Sequence, residues 1–205
     1  MTHSARIRRS LALVPVLAIL ALAPAANAGP LVASATNCDA QSLSQTFLPW
    51  ADVANYTLNP GGAFEDGASG WSLNGASVVA GNEPFAVTSA DDSNSLSIPV
   101  AASAVSAPIC VGIEHPDLRF FAKASNPTAS LRVDVLFETA SGDVLSAAVG
   151  AVTGTTSWAL TAPMPVVANL LTLMPGDHTA VAFRFSAYGG SFRIDDLYVD
   201  PYSRN

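Results

Sequence analysis

Two adjacent carboxylates sit inside an apolar run in Ser191-Phe-Arg-Ile-Asp-Asp-Leu-Tyr-Val-Asp200. Aspartate is disfavoured in strands. Phe192 and Ile194 share one strand parity, and Leu197 and Val199 share the other. Burying all four requires a phase slip at Asp195-Asp196, which a β-bulge supplies. A carboxylate turned inward there needs a cation or strong donors. The alternative places Asp195 on the outer face beside Arg193, as a weak surface pair.

A second constellation follows from Leu118-Arg-Phe-Phe-Ala-Lys-Ala124. In a regular strand with Phe120 inward, Phe121 faces outward with Arg119 and Lys123. Arg132, Asp134, Arg184 and Tyr188 could share that face from other strands. An exposed ring among polar groups offers a stacking face beside hydrogen-bonding groups. A ring covered by a loop binds nothing, and both readings stay open. Signatures of catalysis are missing: no Gly-x-Ser-x-Gly elbow, no His-Glu-x-x-His and no phosphate loop. His115 and His178 each stand alone beside turn residues. Asp91-Asp92 could serve a glycosidase only at a defined separation from a second acid in space.

The elements that position these residues are strands. Apolar runs recur at Ala76–Ala80, Phe85–Ala90, Leu96–Val100, Val105–Val111, Leu118–Ala124, Leu131–Glu138, Val144–Val152, Trp158–Pro165, Ala180–Ser186 and Phe192–Val199, with turn residues between them. Such spacing predicts a sandwich or barrel. Leu131, Val133, Val135 and Phe137 alternate with Arg132, Asp134 and Glu138, as in a half-buried antiparallel strand. Asp39 to Tyr56 has a helical flavour that Pro49 limits to a turn or two. Val166 to Met174 reads as a short helix or a loop.

Of 205 residues only 12% are charged, and the net charge is −7. Residues 1–28 read as a cleaved secretory signal: Arg6, Arg8 and Arg9, then an apolar stretch, then Ala26-Asn27-Ala28. Cleavage would leave six basic residues against sixteen acids, a net −10. That charge disfavours nucleic acid and anionic membranes as partners, and the cleaved signal leads to the expectation that the mature chain is secreted and extracellular. Cys38 and Cys110 are the only cysteines, and an exported pair reads as one disulfide. It would tie the N-terminal segment, residues 29–58, to a single domain over 59–205.

The ends of that domain carry a resemblance. Asn59-Pro-Gly-Gly-Ala-Phe-Glu-Asp-Gly67 followed by Gly70-Trp71, with Phe192-Arg-Ile-Asp-Asp-Leu197 at the close, resembles secreted jelly-roll domains of the carbohydrate-binding-module and galactose-binding-like kind. The resemblance implies an all-β antiparallel sandwich whose first and last strands lie together and share a structural calcium. Carried over, the ligands would be Glu65, Asp195, one of Asp91 and Asp92, and the carbonyls of Ala63 and Asn94. Hard oxygen donors suit calcium. It also implies an aromatic sugar platform, matched here by Phe121, Arg119, Arg132, Asp134, Arg184 and Tyr188.

The expected function is a non-catalytic extracellular binding module, for a glycan or cell-surface component. A structural or surface-interaction protein is the second reading, and a glycoside hydrolase a distant third.

Overall fold

The computed structural model describes residue 31 and residues 41–112, 116–139, 141–166 and 178–201. The leader, Cys38, His115 and most of the 166–174 stretch lie outside the described residues. The described chain forms two antiparallel sheets packed face to face.

The first sheet runs β10 (Ala159–Leu160), β7 (Asp117–Ala124), β13 (Phe192–Asp200), β4 (Asn94–Ile98), β3 (Ser77–Ala80). Two short strands join it: β1 (Thr57–Leu58) on β13, and β11 (Met164–Pro165) on β7. The second runs β2 (Ser72–Asn74), β5 (Ser103–Val105), β12 (His178–Tyr188), β8 (Ser130–Glu138), β9 (Val144–Thr153). There β6 (Ile109–Gly112) also pairs with β12. This is the expected antiparallel β-sandwich, of jelly-roll type.

Alternation explains the layers. Leu131, Val133 and Val135 of β8 and Val181, Phe183 and Phe185 of β12 meet Leu118, Phe120, Ile194 and Leu96 of the first sheet in one buried core. Full burial of each large side chain contributes about 1.5–3 kcal/mol. Trp71 closes one side, stacked 6.0 Å from Phe185 and edge-on to Phe64 at 4.9 Å.

The parity slip in β13 is present. Phe192 and Ile194, then Leu197 and Val199, all reach the core, and the register against β7 shifts between Asp195 and Tyr198. Asp196 takes the slip with φ +51°, a left-handed conformation that aspartate tolerates better than branched residues.

The Asn59-Pro60-Gly61-Gly62 turn wraps the same point. Leu197 O accepts from Asn59 N at 2.8 Å, and Leu197 N donates to Gly62 O at 3.1 Å. A Cβ on Gly62 would stand 2.8 Å from Asn59 O and 3.0 Å from Leu197 O, so only glycine fits. The opening motif therefore clasps the closing strand, and β1 pairs with that strand, as the resemblance implied.

Two expectations are corrected, and a third, at most a turn or two of helix in the N-terminal segment, holds. Phe85–Ala90 is a loop rather than a strand. The buried Glu83 carboxylate accepts from the amides of Phe85 and Val87, and Ala86 has φ +53°. Val105–Val111 splits into β5 and β6 around Pro108, whose missing N–H cannot join a ladder. The described part of Asp39–Tyr56 makes one 3-10 turn, Leu48–Trp50, and otherwise lies extended or in turns.

Candidate functional site

Phe121 does face outward from the first sheet, but it is fully buried. The N-terminal segment and the 83–92 loop cover it. Phe85 stacks on it at 5.1 Å, and Trp50 and Phe47 meet it edge-on at 5.5 and 6.1 Å. Phe47, Tyr56, Phe121 and Tyr198 form a second small core, against which Trp158 packs. The expectation of an exposed Phe121 platform is overturned, because the segment before the sandwich has its own aromatic face to bury.

Arg119 is corrected likewise. It is 8% exposed. Its guanidinium pairs with Asp52 at 2.6 Å and donates to Thr161 O at 2.9 and 2.7 Å. Burial pushes the Asp52 carboxyl up, but hydrogen bonds from Tyr56, Ala54 and Arg119 outweigh it and hold it below its ordinary value. Both groups lock the N-terminal segment to the sheet.

The other four residues of the expected platform come together, on the outer face of the opposite sheet. Arg184 of β12 lies directly across from Asp134 of β8. Asp134 is buried and accepts from Arg132 Nε at 2.8 Å, while its other oxygen meets Arg184 Nη2 at 3.1 Å. Arg184 also donates to Ser146 Oγ at 3.3 Å. The hydrogen bond that Arg132 donates to Asp134, and then the Asp134 charge, raise the pKa of Arg132. Tyr188, on the same face of β12 by parity, is 53% exposed. One shielded carboxylate thus fixes two guanidiniums, and Tyr188 shares their face, two residues along β12 from the position opposite Arg132. The arrangement can donate to neutral hydroxyls and stack on an apolar ring face.

The acids form a separate site around the β13 slip. Asp195 is buried on the outer face of the first sheet, and no ion pair joins it to Arg193 among the described residues. It accepts from Glu83 N at 3.2 Å and Asp196 N at 3.0 Å. Burial, then the Asp196 charge, pushes its carboxyl up to about 8. Asp196 accepts from the Thr88 hydroxyl at 2.6 Å, and its other oxygen is buried without a partner. Burial and the Glu83 and Asp92 charges push it up to about 6. Asp92 also buries an unpartnered oxygen, and burial and the Glu65 charge raise it.

Glu65 is held against the Ser93-Asn94 segment. It accepts from Ser93 N at 2.9 Å, Asn94 N at 2.7 Å and Asn94 Nδ2 at 2.8 Å. Burial pushes its carboxyl up, but these bonds prevail and hold it below its ordinary value. Asn94 meets Glu65 through its amides, and Asp91 is exposed in a turn on Ser89 Oγ. Ala63 lies in the turn before Glu65. Among the described residues no three acidic, histidine or cysteine side chains converge at metal-ligand spacing. In this cluster Asp92 and Asp196 each keep one buried oxygen without a partner.

Sequence reasoning missed Glu83 and Thr88. Only Glu83 carried a signal: an acid before Pro84 in a turn-rich stretch.

Cys110 is fully buried on β6 and does not carry a free thiol. Gln41 Nε2 donates to Cys110 O at 2.8 Å, which brings the chain three residues past Cys38 beside it.

No family model matches the chain, and no curated protein matches it. Solved structures do. The CBM22-1 xylan-binding domain of Paenibacillus barcinonensis Xyn10C matches with TM-score 0.46 and 15% identity, over 70% of this chain and 93% of that one. TmCBM61, solved with β-1,4-galactotriose, matches with TM-score 0.43 and 16% identity, over 68% and 94%. CBM6cm-2 of Cellvibrio mixtus lichenase 5A, solved with cellotriose, gives 0.42 and 13%, over 65% and 92%. These solved structures are what the chain is similar to, each with a TM-score below 0.5.

Proposed function

We propose that the protein is a secreted, non-catalytic binding module for a neutral carbohydrate, held on the outer face of the second sheet. The observation that carries this reading is Tyr188, an exposed ring on the same sheet face as Arg132 and Arg184, both held by Asp134, with Arg132 two residues away across the ladder. The ring supplies a stacking surface and the guanidiniums supply hydroxyl donors. A single platform of this size gives weak affinity, around millimolar to micromolar. A glycan array probed with mature protein tests the reading: selective retention of one neutral glycan class supports it, and retention of none refutes it.

The proposal includes a structural calcium at the acid cluster. Asp92 and Asp196 would hold it, with Glu83 and Asp195 adding negative charge nearby. A bound cation would neutralise buried carboxylates that otherwise need protons.

A second reading, as a surface-interaction protein, rests on β9. Its ten residues carry no charge, and among the described residues it pairs only with β8. Val144 and Leu145 are 42% and 50% exposed. Long uncharged edges are templates for strand pairing. Leu145→Lys should abolish any self-association seen by sedimentation if β9 is an interface.

A further inference from the structure

Across the outer face of the first sheet, next to the covered Phe121, runs a row of directly opposed residues. Lys123 of β7 stands opposite Arg193 of β13, Arg193 opposite Ser97 of β4, and Ser97 opposite Ser77 of β3. The β7–β10 register continues the row to Trp158. Like charges directly opposed in a sheet repel. The chain has sixteen acids against nine basic residues, yet the three ion pairs among the described residues use neither Lys123 nor Arg193.

Arg193 is nonetheless fixed in place. Its Nε donates to Ser95 Oγ at 3.0 Å, and Nη2 donates to the carbonyls of Ala80 and Gly81, both at 2.6 Å. Gly81 makes room for it, since a Cβ there would stand 2.9 Å from Nη2. All these acceptors are neutral, so no carboxylate offsets the guanidinium among the described residues, and Nη1 has no acceptor there. Its Cζ lies 5.9 Å from the centre of the half-buried Trp158 ring system. Asp195, two residues along the strand, directs its carboxylate to the Glu83 and Asp196 amides instead.

We infer that Lys123, Arg193 and Trp158 form a second binding site, for a carboxylate-bearing saccharide of the uronic-acid class. The sugar carboxylate neutralises the opposed cations, the pyranose ring lies against the indole edge, and Ser97 meets a hydroxyl. The site is on the opposite sheet from Tyr188 and does not depend on it.

Calorimetric titration of the mature protein with a galacturonic-acid tetrasaccharide, a neutral galactose tetrasaccharide and inorganic phosphate tests the inference. Uronate binding should weaken about tenfold in Lys123→Ala, survive in Lys123→Arg, and fall with added salt. It should persist in Tyr188→Ala, which separates it from the neutral-sugar face. Uronate affinity unchanged in Lys123→Ala overturns the inference. So does phosphate binding as tightly as the saccharide, which would mark an adventitious anion site only.

Discussion

Arg184 reaches from β12 to the Asp134 carboxylate on β8 at 3.1 Å, and the same carboxylate holds Arg132 on its own strand at 2.7 Å. Asp134 is almost wholly shielded, whereas Arg132 is half exposed. Each guanidinium therefore has one end fixed and one end in solvent. Asp134→Ala should cost about 1–2 kcal/mol, because the arginines can turn to water once released. Urea denaturation measures this, and the variant should also lose affinity for the neutral glycan.

Phe121→Ala should act on stability. The ring lies between the sheet and the covering segment, in contact with Phe85, Trp50 and Phe47. Removing it should cost about 3–5 kcal/mol. A loss under about 1 kcal/mol would mean that the covering segment does not pack as described.

The acid cluster sets a pH dependence. The Asp195 and Asp196 carboxyls are raised to about 8 and about 6, from 3.8. Between the unfolded and folded values the native state binds more protons. Their contribution is therefore full below about pH 4 and is lost as pH rises towards 8. In chelator, the melting temperature should fall from pH 5 to pH 8.5. Added calcium should flatten that fall, and Asp196→Asn should remove the calcium response. An identical pH profile with and without calcium would exclude the metal.

Export should oxidise Cys38 and Cys110 to one disulfide. Residues 72 apart in sequence would then be tied, worth about 4 kcal/mol on the chain-entropy account. Unreduced peptide mapping should yield one Cys38–Cys110 peptide. Two free thiols in exported protein would refute the bridge.

The sandwich was legible because period-two alternation in Leu131–Glu138 and Val181–Ser186 reports directly on which face is buried. The slip at Asp195-Asp196 was legible for the same reason: four apolar residues on two parities cannot all be buried without it. Parity also placed Phe121 outward, but it cannot say what lies on top of an outer face. That depended on Phe47, Trp50 and Phe85, which sit in a short 3-10 turn and a loop whose placement over the sheet no local pattern reports. Nor can parity say which sheet a strand joins, so Arg119 was grouped with Arg132 and Arg184, although they lie on opposite faces of the molecule. Glu83 entered the acid cluster through its loop, for which residue type alone gives little warning.

The most direct test of carbohydrate binding at the Tyr188 face is titration of the array-selected neutral oligosaccharide into wild type and Tyr188→Ala, with folding checked by circular dichroism. Loss of at least tenfold in affinity from a folded variant is the expected result. A folded Tyr188→Ala protein that binds the sugar as tightly as wild type would contradict the assignment of the site.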